Sequence, residues 1–365
     1  VGPRNDIEKQ LAEIWAETLE VKRVGVHDSF FKLGGHSMLA TMVVAQAIDT
    51  FQVDLPVRRL FDAPTIAQLA KVIEQLTVEN HASADEAPIL VKMQENGAAA
   101  PFFCVHPVGG HVFCYANLAE ALGEEQPFYA LQAPTSERIG KSLATIEEIA
   151  NLYLQEIRNV QPYGPYFLGG WSVGGVIAWQ MAKQVRLEGE AVGMLALIDT
   201  NLPLKNRSSD KTEEIPLLAA FALDLCQLLG KDYREVSERF LRLDERQQYE
   251  MIFNELKGAG VLPQDPVLAG RRLKDFYDVF QRNAQASRKY QLTPMEQEIV
   301  VCEASEREPA GHLGEQWGDW ATKVESLTIP GNHYTILKQP NVSVLAGYLR
   351  SALQNATVES QRSIA

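Results

Sequence analysis

The sequence predicts a four-helix bundle followed by an α/β domain with a mainly parallel sheet. Apolar residues recur at helical spacing through residues 1–76, and from residue 88 onward short apolar runs alternate with amphipathic helical stretches. A polar stretch without periodicity, residues 77–87, separates the two patterns and suits a linker. With 365 residues, the chain is long enough for two domains of ordinary size.

The helices of the first domain follow from this periodicity. The first is predicted over residues 5–19 and the second near Ser37, after a loop that contains two glycines. A short helical segment and a last helix, separated by a turn at residues 62–65, complete a bundle that ends near Leu76. We therefore expect a small helical domain over residues 1–76.

Short apolar runs predict the strands of the second domain, which we place at residues 88–355 with a tail at 356–365. The predicted strands are 89–91, 102–105, 127–131, 166–168, 194–198, 299–302 and 324–329. Helical stretches between them imply a parallel sheet covered on both faces. A mostly helical insertion, about residues 201–290, interrupts the alternation, and we interpret it as a lid over an active site. A helical decoration that only packs on the core is the alternative.

Composition excludes several classes of function. The net charge of −13 argues against nucleic acids and anionic membranes as partners, and no apolar run is long enough to cross a bilayer. The cysteines, which form no CxxC pair, are Cys104, Cys114, Cys226 and Cys302. We expect buried thiols rather than a metal site, in the reducing cytoplasm. The chain lacks an initial Met and a signal peptide, so we expect a segment of a longer polypeptide.

Ser37 lies at the predicted start of a helix, directly after Gly34, Gly35 and His36. The N-terminus of a helix attracts an anion through its N–H groups and its dipole. A phosphodiester on Ser37 is therefore well placed, and the glycines leave room for an enzyme to approach. A plain helix cap is the alternative role of this serine.

Ser172 occupies the centre of Gly170-Trp171-Ser172-Val173-Gly174, between a predicted strand and a predicted helix. This context is typical of a nucleophile elbow, a turn so sharp that small residues must lie two positions either side of the serine. The serine hydroxyl then projects above the sheet as an acyl-accepting nucleophile. A tight turn without chemistry is the alternative.

A serine nucleophile needs a base that removes its proton, and a histidine late in the chain is the expected candidate. His333 follows the last predicted strand and precedes the final helix, so we assign it this role. His312 is the second candidate, but it lies among loop residues, whereas His106 and His111 come too early in the chain.

The acid that orients the imidazole is expected at the carboxyl edge of the sheet. Asp199 directly follows the apolar strand 194–198, so its carboxylate should lie near the elbow. Glu303 and Asp319 are competing acids near a later strand. A helix cap that opens the insertion is the alternative role of Asp199.

The oxyanion formed on an attacked carbonyl needs two backbone N–H donors. The amide of Val173, directly after the nucleophile, is the first donor that we predict. The second is the amide of Val108, in the loop that follows strand 102–105, with Gly109 as the second choice. A plain glycine turn is the alternative for that loop.

The first domain resembles the peptidyl carrier proteins of nonribosomal peptide synthetases. The resemblance rests on residues 28–39, DSFFKLGGHSML, and covers about residues 3–76. It implies that Ser37 carries 4'-phosphopantetheine, attached by a phosphopantetheinyl transferase, whose thiol holds an acyl chain as a thioester. An acyl carrier of a polyketide line shares this chemistry.

The second domain resembles the type I thioesterase domains that end such synthetases. The matching segments are residues 106–110 (HPVGG), 170–174 (GWSVG) and 330–333 (PGNH), together with Asp199 after its strand. The resemblance implies an α/β-hydrolase fold with a helical lid, and release of an acyl or peptidyl chain that upstream synthetase domains supply. Hydrolysis, macrolactone formation and macrolactam formation all stay open, as do release of a polyketide or hybrid chain, a free-standing esterase and an inactive docking module.

Overall fold

The computed structural model describes residues 1–35, 37–51, 53, 55, 57, 59–78, 88–134, 145–203, 216–228, 240–307 and 312–364. By internal contacts the chain divides into two compact units. The first joins Val1–Ala87 to Ile215–Tyr277, and the second joins Pro88–Glu214 to Asp278–Ala365. Of the predicted linker, residues 77 and 78 continue a helix, and residues 79–87 lie outside the described residues. The domain bounds proposed from the sequence stay predictions.

The described α-helices are α1 (Asp6–Thr18), α2 (Ser37–Phe51), α3 (Arg59–Asp62), α4 (Ile66–Val78), α5 (Ala116–Leu122), α6 (Ile146–Arg158), α7 (Val173–Leu187), α8 (Leu217–Leu228), α9 (Glu245–Gly258), α10 (Pro266–Lys289), α11 (Leu313–Trp317) and α12 (Asn341–Ile364). The described strands are β1 (Leu90–Gln94), β2 (Phe102–Val105), β3 (Phe128–Leu131), β4 (Tyr166–Trp171), β5 (Val192–Ile198), β6 (Met295–Glu306) and β7 (Ala321–Asn332). Helix α12 continues to Ile364, through residues that the sequence predicts as a tail.

The N-terminal bundle of the first unit consists of α1 to α4, as the sequence predicts. Asn5 caps α1, because its side chain accepts the backbone N–H of Glu8 at 2.8 Å. The core of the bundle is aromatic at its centre, where Trp15 and Phe30 pack edge to face with ring centroids 5.1 Å apart. Both side chains are fully buried.

Part of the insertion packs within the same unit as the bundle. Both carboxylate oxygens of Asp49, on α2, lie within 3.0 Å of the backbone nitrogen of Gln264, which donates to them. Arg272, on α10, donates to the carbonyl oxygen of Leu55 at 3.1 Å. Helix α10 therefore begins in the first unit and, since it continues past Tyr277, ends in the second.

The second unit is built on one seven-stranded sheet in the order β1-β3-β2-β4-β5-β6-β7. Strand β1 pairs antiparallel with β3, and the other neighbours are parallel, so the predicted mainly parallel sheet is confirmed. Helices α6 and α7 pack on one face and α5 and α12 on the other, each over an apolar cluster. The carboxyl ends of the parallel strands meet at one edge, where ligands of such sheets bind.

Strand β7 is longer than the sequence predicts. It pairs with β6 along 12 residues, from Ala321 to Asn332. Most of its side chains are exposed or half-buried because it is the edge strand, so the apolar stretch marks only its middle. The apolar signal at residues 324–329 therefore underestimates its length.

Candidate active site

Ser172 lies in the turn between β4 and α7, in a backbone conformation that only a constrained turn maintains. Its φ is 59° and its ψ is −126°. A Cβ atom on Gly170 would lie 2.2 Å from the carbonyl carbon of Gly174, and one on Gly174 would lie 2.3 Å from the carbonyl oxygen of Val105. Both glycines are therefore required by close backbone contacts, which is the geometry expected of a nucleophile elbow.

The backbone around Ser172 is fixed to the neighbouring strands. Its N–H donates to the carbonyl oxygen of Ile198, the last residue of β5, at 2.9 Å. Val173 is the first residue of α7, and the N–H groups of a first helical turn have no acceptor within the helix. The amide of Val173 is thus available to a ligand at this end of the helix.

Asp199 and His333 meet at the same edge of the sheet. The Oδ2 atom of Asp199 lies 2.6 Å from Nδ1 of His333, and the Asp199 side chain is only 3% exposed. The Oδ1 atom accepts the backbone N–H of Ala304 at 3.0 Å. A second donor to Oδ1 is Nη1 of Arg307, at 2.7 Å. The backbone of Asp199 has a positive φ of 40°, which turns its side chain out of the strand direction.

These contacts keep Asp199 ionised. Burial of the carboxyl opposes ionisation, but the hydrogen bond and charge of His333, the N–H of Ala304 and the charge of Arg307 outweigh it. The pKa of Asp199 therefore lies below its ordinary value. An ionised carboxylate accepts the Nδ1–H of His333, which leaves the Nε2 atom of that imidazole as the basic nitrogen.

The competing acids and the competing base lie elsewhere. Glu303 is buried, and its carboxylate accepts from Nδ1 of His312 at 2.8 Å and from the backbone N–H of Leu313 at 2.6 Å. Asp319 is exposed. Contact with His333 thus favours Asp199 over both, and His312 is paired with Glu303 rather than with Asp199.

The loop after β2, which contains Val108, is held by a buried histidine. His106 lies 2.6 Å through Nδ1 from the carbonyl oxygen of Pro107 and 2.6 Å through Nε2 from the hydroxyl of Tyr153. Burial lowers the pKa of His106 to about 3, so the ring is neutral and can donate to one partner and accept from the other. The carbonyl of Pro107 and the N–H of Val108 belong to one planar peptide group, so this contact also fixes the predicted oxyanion donor.

Other buried side chains hold the same loop, and the sequence analysis did not identify them. Asn283, 1% exposed, donates through Nδ2 to the carbonyl oxygen of Val108 at 2.9 Å. The hydroxyl of Tyr115 donates to Val105 at 2.5 Å and accepts the N–H of Trp171 at 2.9 Å. Asn283 lies 175 residues from Val108, and Tyr115 joins the end of β2 to the end of β4, so no local motif marks either residue.

Aromatic rings surround the imidazole of His333. The ring centroid of Trp171, the residue before Ser172, lies 5.0 Å from that of His333, and the ring of Tyr334 packs edge-on at 5.1 Å. Trp171 belongs to the elbow sequence, so its contact with His333 brings the elbow and the Asp199–His333 pair to one place.

Ser37 is the first residue of α2, as predicted, and its side chain lies outside the described residues. The preceding Gly34 has a φ of 94° and no atom within 4 Å of the position a Cβ would take. A Cβ on Gly35 would lie 2.3 Å from Cε1 of Phe30. The N-terminus of a 15-residue helix, preceded in the loop by a glycine with open space around it, fits a covalently attached phosphodiester.

Two known families match the chain. The family described as "Thioesterase domain" matches residues 100–351, and the one described as "Phosphopantetheine attachment site" matches residues 9–73. The chain belongs to the thioesterase family. The second match shows that this thioesterase also has a carrier domain for covalently attached 4'-phosphopantetheine. The α/β-hydrolase fold expected from the sequence is confirmed.

The chain is similar to parts of much longer proteins. Chondramide synthase CmdD of Chondromyces crocatus is 32% identical over 98% of this chain, and a dimodular nonribosomal peptide synthase of Bacillus subtilis (strain 168) is 38% identical over 61% of it. This thioesterase spans 9% of the length of each. The crystal structure of holo-AB3403, a four-domain nonribosomal peptide synthetase bound to AMP and glycine, matches 96% of this chain and 26% of its own, with 30% identity and a TM-score of 0.68.

Two further observations concern ligands and membranes. Among the described residues, no group of three or more His, Cys, Asp or Glu side chains is arranged to hold a metal ion. None of the described helices is both long and apolar enough to span a bilayer. Three of the four cysteines are buried, and Cys114 is half-buried.

Proposed function

We propose that this thioesterase releases an acyl or peptidyl chain from its own carrier domain in nonribosomal peptide biosynthesis. Ser172 acts as the nucleophile, His333 as the base and Asp199 as the acid that orients His333. The observation that carries the proposal is the 2.6 Å contact between Asp199 Oδ2 and His333 Nδ1 beside the elbow of Ser172. A serine in a sharp turn needs an oriented base to accept an acyl group, and this contact orients the imidazole of His333 for that role.

The first half-reaction follows from these roles. The proton of the Ser172 hydroxyl moves to Nε2 of His333 while Oγ bonds to the thioester carbonyl carbon. The C–S bond then breaks, and the departing thiolate takes the proton from the imidazolium of His333. Asp199 stabilises the imidazolium between these two steps, since its carboxylate is ionised and bound to Nδ1.

The backbone amides of Val173 and Val108 stabilise the negative oxygen that forms in each half-reaction. Val173 contributes the first-turn N–H of α7, and Val108 contributes an N–H whose peptide plane His106 and Tyr153 hold. Such donors act best when they are fixed before the reaction, and removal of one typically costs about 100- to 1000-fold in rate. Gly109 is the second choice for the donor from this loop.

In the second half-reaction His333 removes a proton from the nucleophile that attacks the Ser172 ester. The bond between the acyl carbon and Oγ of Ser172 then breaks, and Oγ takes the proton from the imidazolium. Water gives a free acid, whereas a hydroxyl or amine of the bound chain gives a macrolactone or a macrolactam. A largely apolar lid would favour the ring by excluding water. The product type and the cytoplasmic location stay predictions.

Ser37 is the residue on which we place 4'-phosphopantetheine, attached by a phosphopantetheinyl transferase. When bound, the group supplies a flexible arm with a thiol that carries the acyl chain as a thioester. The chain's own contribution is the N-terminus of α2, whose dipole and N–H groups attract the phosphodiester. Upstream synthetase domains would supply the acyl chain.

The test uses the full chain, converted with coenzyme A and a phosphopantetheinyl transferase, then loaded with an acyl group. Intact mass should show the arm on the parent and on Ser172→Ala, but not on Ser37→Ala. Ser172→Ala and His333→Ala should retain the acyl group, with release slowed at least about 1000-fold. Ser351→Ala, an exposed serine on α12, is the matched control and should release at the parent rate.

Two other results would support the alternatives. If Ser37 gains no mass while Ser172→Ala loses ester hydrolysis, a free-standing esterase with a fused bundle is the better description. If the arm attaches but a fluorophosphonate fails to label Ser172, the second unit is an inactive docking module. A product lighter than the free acid by one water would show that release occurs by macrocyclisation.

A further inference from the structure

Arg307 lies directly after β6 and joins two residues that follow β5. Its Nη1 lies 2.7 Å from Oδ1 of Asp199, and its Nη2 lies 2.8 Å from Oδ1 of Asn201. The Arg307 side chain is 12% exposed, whereas that of Asp199 is 3% exposed. The carboxylate of Asp199 thus lies between a permanent cation on Oδ1 and the imidazole of His333 on Oδ2.

We propose that Arg307 is a positioning residue that fixes the Asp199 carboxylate and, through its charge, sets the pH range in which Ser172 is acylated. This inference rests on the proposed function, because it assigns Arg307 a role through Asp199 and His333. It makes Arg307 a fourth member of the site, without contact to the reacting atoms.

The two carboxylate oxygens of Asp199 have different partners. Oδ1 accepts from Ala304 N–H and from Arg307, and Oδ2 faces His333. Asp199 follows its strand in a positive-φ conformation, and these three contacts hold its carboxylate in one orientation. Without Arg307, only Ala304 holds Oδ1 among the described donors, and the carboxylate can rotate away from Nδ1.

The charge of Arg307 acts on the same carboxylate. A guanidinium remains protonated throughout the working pH range, so it adds a constant positive charge beside the acid. It strengthens the ionised form of Asp199, which is the form that accepts from Nδ1 of His333. Loss of this charge raises the pKa of Asp199, so its carboxylate should be protonated, and acylation impaired, at a higher pH than in the parent.

Other titratable groups nearby do not replace this charge. Glu303, also on β6, is bound to His312 and to Leu313 N–H. Tyr334, next in the chain to His333, contacts its ring. Among the described residues around Asp199, Arg307 therefore supplies the one permanent positive charge.

The experiment compares Arg307→Gln, which keeps a donor but loses the charge, with Arg307→Lys, which keeps the charge. The rate at which a fluorophosphonate labels Ser172 in the full chain is measured from pH 5 to pH 9. For Arg307→Gln we expect a plateau rate about 10- to 100-fold lower and a half-maximal rate reached about 0.5 to 1 pH unit higher. For Arg307→Lys we expect a smaller loss and the parent pH profile. Arg158→Gln, which breaks a half-exposed pair with Glu190, is the matched control.

The outcomes separate the two proposals. A parent chain that the probe does not label at Ser172 would overturn both the proposed function and this inference. A labelled parent with an Arg307→Gln profile that matches the parent's rate and pH dependence would overturn the inference alone. A lower rate with an unshifted profile would also overturn it, because a loosened fold slows labelling at every pH alike. Circular dichroism at each pH shows whether the variants are folded.

Discussion

Ser37 and Ser172 both mark the start of a helix that follows glycines, yet their turns differ in how closely they are packed. Around Ser172, a Cβ on Gly170 or Gly174 would overlap backbone atoms of another turn or strand. Before Ser37, a Cβ on Gly35 would also lie 2.6 Å from a backbone atom, the carbonyl oxygen of Phe30, but Gly34 has open space around it, although its φ is positive. The open space at Gly34 matches the two proposed tasks: an attachment site must admit another enzyme, whereas a nucleophile must be held against donors from separate strands.

The polar residues of the two units show the same contrast. Among the described residues, the buried polar side chains of the first unit are Glu8 and Thr18. The second unit buries a larger group, and three of its members, His106, Asp199 and Asn283, belong to the proposed site. Buried polar groups are costly unless they are paired, so the second unit depends on its site for stability as well as for chemistry.

The largest difference between the two turns should appear when one glycine of each turn is replaced by alanine. Gly170→Ala places a methyl group 2.2 Å from backbone carbon, which the elbow cannot relieve by moving a side chain. We expect loss of Ser172 labelling and a decrease of about 3 kcal/mol or more in the free energy of unfolding. Gly34→Ala should cost about 1 kcal/mol through its positive φ and should leave arm attachment intact. Urea unfolding, fluorophosphonate labelling and intact mass measure the three quantities.

Equal losses in these two variants would remove the contrast between the turns. A Gly170→Ala protein that folds and labels at the parent rate would contradict the elbow packing directly. Gly2→Ala, at a glycine with nothing within 4 Å of the added methyl group, is the control for the substitution itself.

An intermediate effect should appear when pH is lowered from 7 to 5. His106 in the folded state has a pKa of about 3 because it is buried, whereas an unfolded histidine titrates near pH 6.5. The unfolded chain therefore binds more protons in this range, and the second unit should lose about 2 kcal/mol of unfolding free energy from this group. His312 acts in the opposite direction, since Glu303 raises its pKa and its contribution is lost as pH rises.

The unfolding free energy of the first unit should change over a different pH range. Arg4 lowers the pKa of Glu8 through a hydrogen bond and its charge, so the stability that Glu8 contributes is lost only as that carboxyl protonates, below its ordinary pKa. Urea unfolding at pH 7 and pH 5, followed separately for each transition, measures the difference. His106→Asn keeps a donor for the carbonyl of Pro107. It should reduce the change in the unfolding free energy of the second unit between pH 7 and pH 5. A change between pH 7 and pH 5 that is the same in His106→Asn as in the parent would contradict the neutral, buried state of His106.

Most of the fold could be predicted from the sequence because the patterns that indicate its helices and strands are local. The strands from β2 to β6 appear as apolar runs, and the Asn5 cap precedes a clear amphipathic pattern. The signals failed where an element lies at an edge or an end. Strand β7 is longer than its apolar stretch, and α12 continues to Ile364 without a strong apolar face in its last turns.

Part of the candidate site could be predicted from the sequence because its signals are also local. Ser172 lies in a local motif, and Asp199 and His333 each follow a recognisable strand. Arg307 carries no such mark: its contact joins it to a carboxylate 108 residues earlier in the chain. The contacts of His106 with Tyr153 and of Asn283 with Val108 also join residues far apart in the sequence. Sequence patterns identify groups that react, whereas the groups that hold them are found from the folded structure.

The smallest effects should come from helix caps, which allow each unit to be perturbed by a similar amount. In the first unit, Asn5 accepts the N–H of Glu8 at 2.8 Å, and in the second, Thr145 accepts the N–H of Glu148 at 3.2 Å within a capping box. Asn5→Ala and Thr145→Ala should each cost about 1 kcal/mol, the first slightly more because its hydrogen bond is shorter. Asn5→Asp and Thr145→Ser keep an acceptor and should restore most of the loss.

The caps test whether the contrast between the turns belongs to independent units. Two-state behaviour holds for single domains and often fails when a chain contains more than one, so separate unfolding transitions are the expectation here. Asn5→Ala should then lower the urea midpoint of one transition and Thr145→Ala that of the other, with Ser172 labelling unchanged in Asn5→Ala. If both variants shift one common transition, the two units unfold together, and a change near Ser37 must also register in the stability of the elbow at Ser172.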